Sequence, residues 1–140
     1  MSIYHVKNAH TDGDAILYFS QSNVLHTGDT YFQNRYPYID LKSGGSIDGY
    51  INAVKKALSI INNDTKIIPG HGDLSTKADL KKYLIMLTTI KDRVLVEIEK
   101  EKTVEEVKAN TTITKGYESY SWWITEEKIR ETIFKSLTEN

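Results

Sequence analysis

The stretch Val24-Leu25-His26-Thr27-Gly28-Asp29-Thr30-Tyr31-Phe32 reads as a short apolar strand that halts at a glycine and presents a carboxylate at its tip. A strand ending on Gly-Asp passes into a turn or loop, so it delivers its acid to one edge of whatever sheet it joins. Two histidines occupy comparable places. His10 lies in the polar turn Asn8-Ala9-His10-Thr11-Asp12-Gly13-Asp14, and His71 ends the strand-like run Ile67-Ile68-Pro69-Gly70-His71-Gly72. Taken singly, each signal is weak, because a strand-end histidine is commonly structural and Gly-Asp is commonly just a turn. Read together, Asp29, His10 and His71 are parts of one metal site. The 140-residue chain contains no cysteine, which excludes disulfides, thiolate zinc sites, iron–sulfur clusters and thiol catalysis. Any metal is therefore held by imidazole and carboxylate.

Around these residues the pattern changes from short strands to helices. Residues 2–7 alternate as a strand, and Ala15 to Phe19 is an unbroken apolar run, the mark of a strand covered on both faces or on a crowded one. With Val24 to His26 this gives three strands joined by tight turns, an antiparallel meander. Residues 30–46 read as a long loop, rich in tyrosine and carrying Pro37 and Gly44-Gly45; loops of that length in compact folds are commonly functional. Ser46 is placed to cap a helix reaching about Asn62, with Ile47, Tyr50, Ile51, Val54, Leu58 and Ile61 on one stripe. After the strand at Lys66 to Pro69, Thr76 and Asp79 have capping-box spacing for a helix reaching about Lys102. Thr103 with Glu106, and Thr125, open two more helices, and the aromatic run from Tyr117 to Trp123 packs them onto the rest. The expected organisation is a single α/β domain over residues 1–140: strands over 2–29, a site loop over 30–46, helices and a strand over 47–102, and C-terminal helices over 103–140.

Composition limits the partners. A net charge of -1 gives no basic field for nucleic acid or an anionic membrane. No run approaches the roughly 18 apolar residues of a membrane span. The sequence passes from Met1 directly into strand-like residues, so a cytoplasmic location is expected as the chain stands, with an export signal in a larger parent left open.

The three motifs Ala9-His10-Thr11-Asp12-Gly13-Asp14-Ala15, Leu25-His26-Thr27-Gly28-Asp29 and Ile68-Pro69-Gly70-His71-Gly72, in this order after strands, resemble the C-terminal half of the metallo-β-lactamase superfamily. The resemblance covers about residues 3–140 and extends to Arg35-Tyr36-Pro37-Tyr38-Ile39-Asp40 with Gly44-Gly45-Ser46. It implies half of an αββα sandwich: a small, mostly antiparallel sheet covered by helices. It also implies a metal-dependent hydrolase with one or two ions, usually zinc and in some members iron or manganese, acting on a small-molecule substrate. By this resemblance His10 completes the first metal's ligand set, His71 binds the second metal, and Asp29 bridges the two. Arg35, Tyr36 and Tyr38 would lie beside the metal edge, in reach of a substrate.

One departure is large. Superfamily members carry a His-x-His-x-Asp-His motif in an N-terminal half, and this chain has none. The remaining histidines, His5 and His26, fall inside strand sequence and read as strand positions. Each metal is then left with two protein ligands, one of them shared, where catalytic zinc sites keep three. A catalytically complete site is therefore not expected in this chain alone. The chain is expected to be a truncated or split half that needs a partner segment, or a homodimer that substitutes for it. The alternative is a catalytically inactive half-fold serving as a binding or oligomerisation module. Ala15 to Phe19 and Val24-Leu25 would expose apolar surface without a partner sheet, so association is expected.

Overall fold

Alternation in β1 and short apolar runs in β2 and β3 set the first three strands. In the computed structural model, which describes residues 1–139, β1 (Ser2–Val6), β2 (Asp14–Phe19) and β3 (Val24–Phe32) form the antiparallel meander. Helix α1 (Ile47–Ile60) then crosses back to β4 (Lys66–His71), which pairs parallel to β3 and completes a sheet of order β1-β2-β3-β4. Three further helices follow: α2 (Lys77–Glu99), α3 (Val104–Ala109) and α4 (Glu126–Thr138). The α/β class and the mostly antiparallel sheet match the sequence reading.

The helices start where their caps require. Ser46 Oγ accepts from the Gly49 amide at 3.0 Å, and Thr125 Oγ1 accepts from the Lys128 amide at 3.1 Å. Thr76 with Asp79, and Thr103 with Glu106, close full capping boxes. Helix α2 stops at Glu99, short of the expected Lys102. Glu101 takes a positive φ of 60°, and the amides of Glu101 and Lys102 turn back to the carbonyls of Ile98 and Glu97. This is a Schellman ending built without glycine, so no sequence signal announces it.

Strand β3 runs further than expected, to Phe32. Gly28 adopts φ 55° and the β3–β4 register slips on either side of it, so the glycine marks a bulge rather than a strand end. Beyond the bulge, Thr30, Tyr31 and Phe32 are buried, and Tyr31 packs on Tyr83 of α2 with ring centroids 4.9 Å apart. The loop that follows is therefore shorter than the 30–46 assigned from sequence.

The helices cover one sheet face only. Ile16, Leu25 and Ile67 are fully buried beneath α1 and α2, together with Tyr50, Val54, Leu80 and Leu87. On the opposite face Ile3, Leu17, His26 and Ile68 line up across all four strands, and Ile3, Phe19 and Ile68 are exposed. The unbroken apolar run of β2 thus has one covered side and one open side. Among the described residues no helix is long and apolar enough to cross a membrane.

Five of the nine tyrosines bind their protons more tightly than free tyrosine. Burial pushes the Tyr31 hydroxyl up to about 12, and burial likewise raises Tyr36, Tyr50, Tyr83 and Tyr120. Unfolded tyrosine ionises near about pH 10, so above that pH the unfolded chain holds fewer protons than the folded one. The stability held by these neutral hydroxyls is fully present below about pH 10 and is lost as pH rises through the folded values. Alkaline titration should therefore show part of the tyrosinate absorbance appearing only together with loss of circular dichroism, in one cooperative step. Ionisation of all nine tyrosines with the dichroism intact would refute this.

Candidate metal centre

A turn between strands, a strand end and a bulge within β3 bring the three residues together. His10 sits in the β1–β2 turn, Asp29 just past the β3 bulge, and His71 at the end of β4. Asp29 turns one carboxylate oxygen to each histidine: Oδ1 lies 3.4 Å from His71 Nε2, and Oδ2 lies 3.8 Å from His10 Nε2. Asp29 and His71 are partly open to solvent, and His10 is more enclosed.

Neighbouring groups orient each of the three. His10 Nδ1 lies 3.2 Å from Asp14 Oδ1, and the other Asp14 oxygen accepts from the Thr11 amide at 2.8 Å. Asp14 thus fixes the His10 ring with Nε2 turned toward Asp29. The Phe32 ring stacks on His71 at 4.5 Å and 19°, and the His71 carbonyl accepts from the Gln33 amide. The buried Tyr50 hydroxyl donates to the Asp29 carbonyl at 2.9 Å, tying α1 to the strand tip. Gly70 lies against Asp29 so closely that a Cβ there would come within 2.5 Å of Oδ1 and of the Gly28 carbonyl.

The loop after β3 clasps the His10 turn. The Asp40 amide donates to the His10 carbonyl at 2.8 Å, the Ser46 amide to Ala9 at 3.1 Å, and Ser46 Oγ to the Asn8 carbonyl at 2.7 Å. The backbone amides of Gly44, Gly45 and Ser46 all donate within the protein, which leaves none of the three for an anion. On the same loop, Tyr38 meets the His10 ring edge-on at 5.6 Å, and Arg35 lies over the Trp122 ring. Tyr36 is buried, with its hydroxyl donated to the Tyr117 carbonyl.

His5 and His26 are engaged elsewhere. His5 Nε2 donates to the Asp12 carbonyl at 2.7 Å, and His26 Nδ1 accepts from the Gly28 amide at 3.0 Å. Among the described residues no group of three or more His, Asp or Glu side chains converges on a single ion position. The geometry is two His–Asp pairs that share one carboxylate, candidate halves of a metal site.

No protein-family model matches the chain, and no curated protein matches it by sequence. Solved structures do match. The sec-alkylsulfatase Pisa1 from Pseudomonas sp. superposes over 95% of this chain, with a TM-score of 0.72 and 15% identity. The BLEG-1 B3 metallo-β-lactamase superposes over 62% of it, with a TM-score of 0.53 and 26% identity. TTHA1623, solved in a di-iron-bound form, superposes over 58%, with a TM-score of 0.50 and 22% identity.

The chain carries part of the metallo-β-lactamase fold.

It spans 23% of the length of the sulfatase and 41% of that of the lactamase. The sulfatase match takes in nearly the whole chain, whereas the lactamase and TTHA1623 matches each cover about three fifths of it. Within this metallo-β-lactamase half-fold, sequence alone pointed to His10, Asp29 and His71 but not to the groups that aim them. Asp14 lies in the same turn motif as His10, the one signal from which its role could have been read. Tyr50 and Phe32 left no such signal, because their roles depend on how α1 and β4 dock against β3.

Proposed function

We propose that this chain is part of a metal-dependent hydrolase whose remaining ligands come from outside it. The observation that carries this reading is Asp29, which directs one oxygen to each of two histidine Nε2 atoms. In kind, the donors suit zinc, and equally iron or manganese, as one or two ions. In number they fall short, with one imidazole and one carboxylate oxygen per ion. His10 and His71 would bind, Asp29 would span the pair, and Asp14 would hold the His10 ring in its coordinating tautomer. Bound ions would supply the Lewis acidity for hydrolysis of a small-molecule substrate. Tyr38 and Arg35 would contact that substrate, while Tyr36, buried beneath, sets the loop that carries them.

The missing ligands are proposed to come from a segment bearing the N-terminal half of the fold, or from a second copy of this chain. Either would cover the open sheet face with its exposed Ile3, Phe19 and Ile68. The same open face, with the shortage of ligands, favours a second reading: a catalytically inactive half-fold that serves as an association module.

Elemental analysis after equilibration with zinc and gel filtration separates the two readings. The hydrolase reading expects zinc in the wild type and its loss in Asp29→Ala and His71→Ala. Zinc absent from the wild type, or unchanged in both variants, would sink that reading. Sedimentation of the same samples tests the association shared by both, since a stable monomer at micromolar concentration would contradict it.

A further inference from the structure

Two large indole rings stand in solvent at one side of the candidate metal edge. Trp122 and Trp123 are 59% and 62% exposed, although their sequence context points to packing. Leaving that much apolar surface wet forgoes burial worth about 25 cal/mol per Å², and exposed aromatic patches of this kind commonly mark binding surfaces. Their backbone is well anchored. The Tyr36 amide donates to the Tyr120 carbonyl at 3.0 Å, and the Tyr36 and Tyr120 rings pack at 6.0 Å. Arg93 ties down the carbonyls of Ile113 and Lys115, and Thr125 caps α4 directly afterwards. The indoles are thus presented on a fixed platform.

A cation accompanies them. The Arg35 guanidinium lies 3.9 Å from the Trp122 ring centroid, and among the described residues its side chain makes no ion pair or hydrogen bond. Stacking occupies the face of the guanidinium and leaves its in-plane N–H donors available. Ring contacts lead from this cation side to the candidate metal edge: Trp123 packs on Tyr38 at 5.2 Å, and Tyr38 meets His10 at 5.6 Å.

We propose that Arg35, Tyr38, Trp122 and Trp123 form a subsite for an amphiphilic organic anion, its apolar part on the aromatic rings and its sulfate, carboxylate or phosphate head on Arg35. As a statement of substrate class this rests on the hydrolase reading, whereas the subsite's binding chemistry does not. A fork of N–H donors matches a planar or tetrahedral oxyanion bidentately. A neutral ligand of the same shape leaves those donors unused.

The chain's two tryptophans both lie in this subsite, so tryptophan emission reports on it alone. Ligand bound to the open sheet face is silent, because that face carries no tryptophan. Hexyl sulfate and hexanoate, titrated with a chelator present to exclude metal, should shift the emission to the blue saturably. Hexanol should bind about tenfold more weakly, the scale of one charge-assisted hydrogen bond, and inorganic sulfate should also bind more weakly, because it has no apolar part to bury on the rings. Arg35→Gln should weaken hexyl sulfate about tenfold and leave hexanol unchanged, while Lys81→Gln on the exposed surface of α2 should change neither. A preference for sulfate over carboxylate, or the reverse, would identify the head group. Equal binding of hexyl sulfate and hexanol, equal losses in both variants, or no response to either anion would overturn the subsite. Because no metal is present, zinc retention without an emission response defeats the subsite alone. An emission response in a chain that retains no zinc defeats the hydrolase reading alone.

Discussion

Gly49→Ala should destabilise the protein by about 3 kcal/mol, against the ordinary sign of that substitution in a helix. Gly49 lies in the first turn of α1, where replacing glycine by alanine normally gains roughly 0.5–1 kcal/mol. Here a Cβ would fall 1.7 Å from the Asn8 carbonyl oxygen and 2.7 Å from that of Lys7. Both are backbone atoms at the end of β1, which cannot rotate aside as a side chain would. The same turn is pinned on its other side by Ser46 Oγ, which both caps α1 and donates to Asn8. Helix and turn would have to part, and the turn carries His10. Thermal denaturation should show a midpoint lower by about 10 °C. Gly13→Ala, in the same turn, is the control, because its nearest atom is Thr11 Oγ1 at 3.7 Å. An unchanged or raised midpoint for Gly49→Ala would show that the turn can move freely.

Gly70→Ala should act on the candidate metal half-sites more than on the fold. The added Cβ would meet Asp29 Oδ1 and the Gly28 carbonyl, each at 2.5 Å. The carboxylate can swing away, but the Gly28 carbonyl belongs to the bulge that aims it. Relief therefore displaces Asp29 from between His10 and His71, or pushes β4 away from β3. The expected cost is about 1–3 kcal/mol of stability from overpacking. Zinc retention should fall at least about tenfold, as when an orienting group is lost. Elemental analysis beside a denaturation curve checks both, and full zinc retention in a folded Gly70→Ala protein would contradict the account of how Asp29 is aimed.

Much of the architecture was legible because local chemistry and tertiary packing agree. Capping residues Ser46, Thr76, Thr103 and Thr125 satisfy amides that would otherwise be orphaned, so each helix start could be read directly. Alternation and short apolar runs likewise placed the strands, and apolar steps of three and four placed the stripes of α1 and α2. The failures share a cause. At Gly28 a glycine that reads as a strand end is a bulge, because Tyr31 and Phe32 find burial further along. At Glu101 a helix ends on a non-glycine residue in a left-handed conformation. At Trp122 and Trp123 aromatic composition suggests packing, yet the rings are exposed.

The sequence by itself determined the donor types, cysteine's absence confining any site to imidazole and carboxylate, and the placement of His10 and His71 beside strand ends. Only the tertiary structure decided that both meet Asp29, with one oxygen of Asp29 toward each Nε2. Spacing along a chain cannot encode that meeting. It depends on β4 lying parallel beside β3, on a bulge that turns Asp29, on Tyr50 holding its carbonyl, and on a glycine at 70 that lets the strands approach. The Gly28-Asp29 tip reads from sequence as the end of a strand, and the fold makes it the shared edge of two half-sites.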